Sequence, residues 1–413
     1  MNLQIPILIL TIAFSTLSQC EPTDWTESSQ RLREEMRTIL DLPTTKIELD
    51  PKIHRTLRDA SYTLESLTYA SEPNSRVTAL LYLPKEREKP VPAILLACGH
   101  GGSKSCLYAQ YAGQLYANLG FAVLAIDTIG EEEREVTGRM GARGHDLYYL
   151  KDENPNFVRT KLKRMVLGKI VWDLLRGVDY LETRPEIDPN RIGLVGYSLG
   201  GASGGCLAIL DSRVKAAVLC GWVFSERYAT YGKYCTRMPY AEFVKVMGMD
   251  EMTALLAPHC ATLFYCGDSD AVIDPEELGK GVVRDLQTYL PDARKILKEA
   301  CISVTIESEI VPGADHRPLF LSRKGVEWLQ HQLQPEGERR SIPDDNIRFG
   351  DWADSQGARI EKLYDTESRE RGLLAVDIGA VYRDPKELAC FPAKTTSGAV
   401  YTMNGWVKAL VGE

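Results

Sequence analysis

An apolar run beginning at Arg191-Ile192-Gly193 stops at Ser198, which stands in Gly196-Tyr197-Ser198-Leu199-Gly200-Gly201. Small residues on both sides of a serine let a strand turn sharply into a helix and leave the hydroxyl exposed at the corner, so the stretch reads as a nucleophile elbow. A serine hydroxyl attacks poorly until a base takes its proton, and that base has to be held by a third group. Ser198 therefore predicts partners. Six histidines are present. His54, His100 and His145 precede the elbow, His259 sits just before a strand-like run, and His331 falls late in a helix-like stretch. Only His316, in Pro312-Gly313-Ala314-Asp315-His316, lies in a loop after a later strand, where a base is required. For the acid, the run 261–266 leads into Gly267-Asp268-Ser269-Asp270-Ala271-Val272-Ile273-Asp274-Pro275. Asp274 reads as the cap of the helix that Pro275 opens, and Asp315 as a shaper of the turn beside His316. Asp268 and Asp270 remain.

The intermediate formed on such a serine needs hydrogen-bond donors aimed at its oxyanion. One is the backbone N–H of Leu199. The second is expected from Gly99-His100-Gly101-Gly102-Ser103, after the run 91–98, with His100 and Gly101 as the donors. No His-Glu-x-x-His occurs, and the glycines after Ser198 are not a dinucleotide fingerprint. Neither a metal nor a cofactor is expected.

The elements that must hold these residues follow a clear rhythm. Residues 24–40 carry Trp25, Leu32, Met36, Ile39 and Leu40 among charges and predict an amphipathic helix, part of an N-terminal helical cover over residues 21–60. Alternating runs at 62–69 and 76–83, split by Ser-Glu-Pro-Asn-Ser, predict an antiparallel hairpin. Continuous apolar runs at 91–98, 121–126, 192–198, 214–220 and 261–266 and a run at 302–310 then alternate with helix-like stretches, including 161–182 and 318–333. That alternation indicates a mostly parallel sheet covered by helices on both faces. Two segments, 131–159 and 222–258, interrupt it on the side of Ser198. The second holds Trp222, Phe224, Tyr228, Tyr231, Tyr234 and Tyr240. They are candidates for a lid or substrate wall, with plain core packing of the aromatics as an even alternative. The catalytic domain spans 61–334. Residues 335–413 form an extension with a strand expected at 372–382, read as an appendage against the back of the sheet through Trp352 and Trp406, with polymer binding as the alternative.

The chain has 413 residues, 44% of them hydrophobic and 26% charged, enough for a large core. A net charge of -8 without a basic patch excludes nucleic acid as a partner. Residues 1–20 hold one short apolar run and read as a signal peptide without a transmembrane span. Leu17-Ser18-Gln19-Cys20 also matches a lipoprotein box that would lipidate Cys20; plain secretion with cleavage after Cys20 is the equal alternative. Ten cysteines without a C-x-x-C suggest one or two bridges at most.

These motifs, spread over 80–333, resemble the α/β-hydrolase superfamily, and within it the dienelactone hydrolase and acetylxylan esterase-like group. Gly120-Phe121 leading to Asp127-Thr-Ile-Gly130-Glu-Glu-Glu-Arg134, and Asp179-Tyr-Leu-Glu-Thr-Arg-Pro-Glu-Ile-Asp188-Pro-Asn-Arg191 before the elbow, carry the likeness. Gly-x-x-Asp ahead of β-branched residues is the acid loop of that fold, which makes Asp270 the first choice and Asp268 the second. Where dienelactone hydrolases use cysteine, this chain has Ser198. Cephalosporin-deacetylase-type esterases resemble R-G-Q, G-x-S-Q-G and H-E, whereas this chain has Ile129-Gly130-Glu131, Leu199 after the serine and Arg317 after His316. The resemblance implies an exported serine esterase acting on a small-molecule or carbohydrate ester. Two rivals are a peptidase of the prolyl-oligopeptidase type and a binding protein that kept the fold without turnover.

Overall fold

The computed structural model describes residues 24–145, 165–230, 238–279, 281–358, 369–391 and 400–411. Helix α1 (Asp24–Ile39) is followed by three strands, β1 (Lys52–Arg58), β2 (Tyr62–Glu72) and β3 (Ser75–Pro84). Then come β4 (Val91–Ala97), α2 (Leu107–Asn118), β5 (Ala122–Ile126), α3 (Val166–Glu182), β6 (Ile187–Tyr197), α4 (Leu199–Leu210) and β7 (Val214–Cys220). Two short helices, α5 (Tyr240–Phe243) and α6 (Met249–Ala254), lead to β8 (Ala261–Gly267), α7 (Val282–Glu299), β9 (Ile306–Val311) and α8 (Arg323–Leu333). The nine strands form one sheet in the order β1-β2-β3-β5-β4-β6-β7-β8-β9. The first four strands of that order pair antiparallel, and from β5 to β9 every pairing is parallel.

The parallel strands read as unbroken apolar runs because both of their faces are covered. Ile94 and Leu96 of β4 share one core with Val123, Val195 and Val218, under α2 and α8. Their neighbours Leu95 and Ala97 point the other way, into a core with Leu124, Leu194 and Leu219 under α1, α3, α4 and α7. The period of two thus sends adjacent residues to opposite layers. Each large side chain so buried contributes roughly 1.5–3 kcal/mol.

The cover expected over 21–60 is only half helical. Residues 52–58 add β1 to the sheet edge, paired to β2 from Lys52↔Thr68 to Arg58↔Thr63. Its sequence, Lys-Ile-His-Arg-Thr-Leu-Arg, is largely exposed, with Ile53 53% accessible. A charged edge strand of this kind carries no buried face for a pattern to reveal. Strand β9 is shorter than the run 302–310 suggests, and α8 starts at Arg323 after a 3-10 turn at Leu319–Leu321.

In the segment 222–258 the aromatics among the described residues are core. Trp222, Phe224, Tyr228 and Tyr240 are buried, with the Trp222 and Phe224 rings 4.4 Å apart. The Trp222 indole N–H donates to Tyr240 Oη at 3.0 Å, and the Tyr228 hydroxyl donates to the Ile273 carbonyl. Tyr231 and Tyr234, most of the late part of 131–159, and the N-terminal 1–20 with its proposed leader lie outside the described residues. Cys98, Cys106, Cys206, Cys220, Cys260, Cys266 and Cys390 are buried free thiols, while Cys301 is disulfide-bonded. Among the described residues no helix is long and apolar enough to cross a membrane.

The extension does not lie as a block on the back of the sheet. It makes a small ribbon of β10 (Asn346–Arg348) and β11 (Leu374–Val376), with helices α9 (Phe349–Ser355), α10 (Pro385–Leu388) and α11 (Met403–Val411). Only the segment 374–376 of the expected strand is paired. Trp352 packs edge-on against Tyr111 of α2 at 4.8 Å in one core layer, and Trp406, in the other layer, donates its indole N–H to Glu72 at 3.3 Å. The described parts of the extension therefore pack into both core layers, and one of them reaches the mouth of the elbow.

Candidate active site

Ser198 sits between the end of β6 and the start of α4 with φ 58° and ψ -116°, a left-handed conformation that costs a non-glycine residue about 1–2 kcal/mol. The turn is over-determined by close backbone approach. A Cβ on Gly200 would collide with the carbonyl of Ala97 on β4, and one on Gly196 with the carbonyl of Gly200. The Ser198 N–H donates to the carbonyl of Cys220 at 2.9 Å, which ties the corner to β7. The N–H of Leu199 lies in the first turn of α4, where a helix offers no internal acceptor.

His316 arrives from the loop after β9 and is 3% exposed. Its Nδ1 lies 2.7 Å from Oδ2 of Asp270, in the loop after β8. The other oxygen of Asp270 accepts from the N–H groups of Val272 and Ile273 at 3.0 and 3.3 Å. A carboxylate so placed keeps the ring proton on Nδ1 and leaves Nε2 as the lone-pair nitrogen. Nε2 is buried and makes no hydrogen bond among the described residues, so the serine–histidine bond is not closed in this structure. Both side chains line one cavity of about 20 Å³, room for about one water-sized group. Looser geometry of this kind is usual before substrate binds.

Gly221 makes room for the imidazole. It has φ 57°, and a Cβ there would stand 2.7 Å from Cε1 of His316. Tyr197, beside the serine, covers the ring at 4.8 Å and donates its hydroxyl to the carbonyl of His316 at 3.1 Å.

The other acidic candidates take different places. Asp268 accepts from the N–H of Gly313 at 2.7 Å and so staples the acid loop to the histidine loop. Asp315 accepts from the N–H of His316 at 2.7 Å, shaping the turn. Asp274 accepts from Gly281 and Val282 at 2.8 and 3.1 Å; it caps α7, beyond the 3-10 turn that Pro275 opens.

His100 lines the same small cavity as Ser198, and Gly101 lines the larger cleft beside it. Their loop is braced from below by residues whose role the sequence gives no hint of. Lys104 is fully buried, and its Nζ lies 2.7, 3.0 and 2.8 Å from carboxylate oxygens of Asp127, Glu132 and Glu133. Its backbone N–H donates to Asp127 at 2.9 Å, and the hydroxyl of Ser105 donates to Glu132 at 2.5 Å. The three carboxylates are close enough together to hold a cation, and the Lys104 ammonium is the cation they hold. Burial, with Glu132 and Glu133 nearby, pushes the Asp127 carboxyl up to about 7 against the pull of Lys104. The Asp127-to-Arg134 phrase is thus a buried scaffold under the glycine loop. Tyr108 adds a second brace, its hydroxyl accepting from the N–H of Gly99 at 2.8 Å.

One further side chain reaches this place from the extension. Glu370, in the turn Arg369–Gly372, lines the cavity of Ser198 and His316 and is 9% exposed. Nothing in the chain around it points to this place, because the run Thr-Glu-Ser-Arg-Glu-Arg reads as a solvated charged face.

A family model for acetyl xylan esterase (AXE1) matches residues 18–257, more than half of the chain, and ends before Asp270 and His316. Among curated proteins, the chain is 30% identical over 209 residues to the hydrolase YtaP of Bacillus subtilis (strain 168), covering 47% of this chain and 64% of that one. It is 29% identical over 184 residues to YcjY of Escherichia coli (strain K12), covering 43% and 52%. The chain thus spans between half and two thirds of the length of these relatives. Among solved structures, the methylesterase BT1017 aligns with a TM-score of 0.56 at 16% identity over 90% of this chain and 74% of its own. A glucuronoyl esterase from Teredinibacter turnerae T7901 aligns at 0.53 with 17% identity over 76% and 86%. At such identities the structures speak for the shared α/β-hydrolase fold. With the elbow and glycine loop inside the matched region, the chain belongs to the acetyl xylan esterase family.

Proposed function

We propose that this protein is an exported serine esterase that removes small acyl groups, acetyl foremost, from esterified carbohydrate. In this reading Ser198 attacks the ester carbonyl while Nε2 of His316 takes its proton. Asp270 holds the ring and stabilises the imidazolium that forms. The N–H groups of Leu199 and of the His100–Gly101 loop receive the oxyanion. His316 returns the proton to the leaving alcohol, and water, activated by the same nitrogen, releases the acyl group.

The observation that carries this reading is the 2.7 Å contact of His316 with Asp270, with the far nitrogen facing no other partner and sharing a cavity with Ser198. The small volume beside the serine supports a short acyl group, since one added methylene changes discrimination by about 10–200-fold in a close-fitting pocket. Family membership supports an acetyl ester of a polysaccharide, and the disulfide at Cys301 supports an oxidising compartment.

The test compares Ser198→Ala with the parent on p-nitrophenyl acetate and by fluorophosphonate labelling. Loss of both label and at least about a thousandfold of turnover is expected. A variant that keeps more than that overturns the reading. Acetate release from acetylated xylan, set beside hydrolysis of longer acyl esters and of peptidyl nitroanilides, tests the substrate class.

A further inference from the structure

Two spaces meet beside the elbow. The first is the small cavity of Ser198 and His316, and the second is a cleft of about 300 Å³ that touches neither residue. Gly102, Tyr108 and Glu370 line both, so an alcohol reaching from the cleft to the serine has to pass Glu370. The turn that carries Glu370 is anchored on both sides. Arg371 pairs with Asp354 through Nη1 at 2.9 Å, and the N–H of Leu373 donates to the carbonyl of Glu370 at 3.1 Å. Next to it, Gly372 lies so close to Arg317, the residue after His316, that a Cβ would stand 2.5 Å from Nη2. Glu370 is thereby fixed against the histidine loop.

Its carboxyl is nevertheless idle. Among the described residues it makes no hydrogen bond and no ion pair, although the residue is nine-tenths buried. A largely buried carboxyl without protein partners is disfavoured unless water or a ligand supplies them. The walls of the adjoining cleft show what that ligand resembles. Tyr382 offers a half-buried ring beside Leu107, Met140 and Pro385, and Asp384 and Lys386 add an acceptor and a donor at the edge. An apolar, aromatic wall with a few polar groups fits a sugar ring, which presents C–H faces as well as hydroxyls.

Resting on the esterase reading above, we propose that Glu370 is a specificity residue, hydrogen-bonding a sugar hydroxyl on the alcohol half of the ester next to the scissile bond. The C-terminal extension is then part of the substrate site.

The experiment compares the parent with Glu370→Leu, Glu370→Ala and Glu370→Gln on three acetates: p-nitrophenyl acetate, a monoacetylated methyl xyloside, and acetylcholine. Removing a hydrogen bond from a hydroxyl to a buried carboxyl should raise KM for the xyloside by about 10–100-fold in the Leu and Ala variants. Their kcat for it, and their kcat/KM for p-nitrophenyl acetate, should stay within about threefold, and Glu370→Gln should recover most of the xyloside KM. Equal losses on the xyloside and on p-nitrophenyl acetate, with kcat falling, would assign Glu370 to the fold and overturn the proposal. So would an unchanged xyloside KM, or a loss confined to acetylcholine, which would mark a cation site. A parent that turns over no acetate and takes no fluorophosphonate label would instead sink the esterase reading itself.

Discussion

Nδ1 of His316 lies 2.7 Å from Oδ2 of Asp270, while Asp268, two residues earlier, turns away to the N–H of Gly313. The two aspartates differ in what they hold. Asp270→Asn should leave the geometry intact but present the wrong tautomer, lowering kcat by about 10³–10⁴. Asp268→Asn should cost less than about tenfold, because it loosens a loop staple without touching the imidazole. Steady-state rates on p-nitrophenyl acetate decide, and equal losses in the two variants would contradict the assignment of the acid.

Gly221 lets the imidazole close. In Gly221→Ala, the new Cβ would stand 2.7 Å from the ring, and φ 57° would add left-handed strain of about 1–2 kcal/mol. The ring has to shift, and misplacement of a base by about an ångström can cost about a hundredfold. Fluorophosphonate labelling of Ser198 should slow in proportion to turnover. Full labelling speed would mean that His316 has another place to stand.

Removing the Lys104 ammonium should damage both fold and turnover. Lys104→Met leaves Asp127, Glu132 and Glu133 buried together without their ammonium, a situation that typically costs about 3–5 kcal/mol. The glycine loop hangs from the same cluster through the Lys104 N–H and Ser105, so a fall in kcat should accompany the lower unfolding midpoint in urea. Retention of both would show that the cluster neither holds the fold nor positions the loop.

The sharp turn at Ser198, the two loops that bring Asp270 and His316 together, and the parallel core were legible because each leaves a local mark. Gly200 is written in the sequence by steric need, and the apolar runs of β4 to β8 by burial on both faces. Strand β1 left none, since an exposed edge imposes no alternation. The aromatics of 222–258 could not be divided between wall and core, because composition is the same for both; Trp222 and Tyr240 bond to each other inside. Lys104 and Glu370 were invisible for a different reason. Each owes its character to partners or to burial brought from distant parts of the chain, and a charge in a sequence looks the same whether it is solvated or enclosed.

Burial alone pushes the Glu370 carboxyl up to about 7 from an ordinary 4.5. His100, Tyr108 and His316 share its cavity; Tyr108, raised by its own burial, stays neutral throughout. A carboxyl whose folded value lies above its unfolded one binds its proton more tightly in the folded state. It therefore weighs least on the fold below about pH 4.5, and stability is lost as pH rises through about 7. The loss amounts to at most about 3 kcal/mol, from 1.36 kcal/mol per unit of pKa. Glu370→Gln does not titrate, so urea unfolding at pH 5 and pH 8 should show the parent losing more stability over that interval than the variant. An identical drop in both proteins would mean that the carboxyl is already ionised and solvated at pH 5, and that the cavity beside Ser198 does not enclose it.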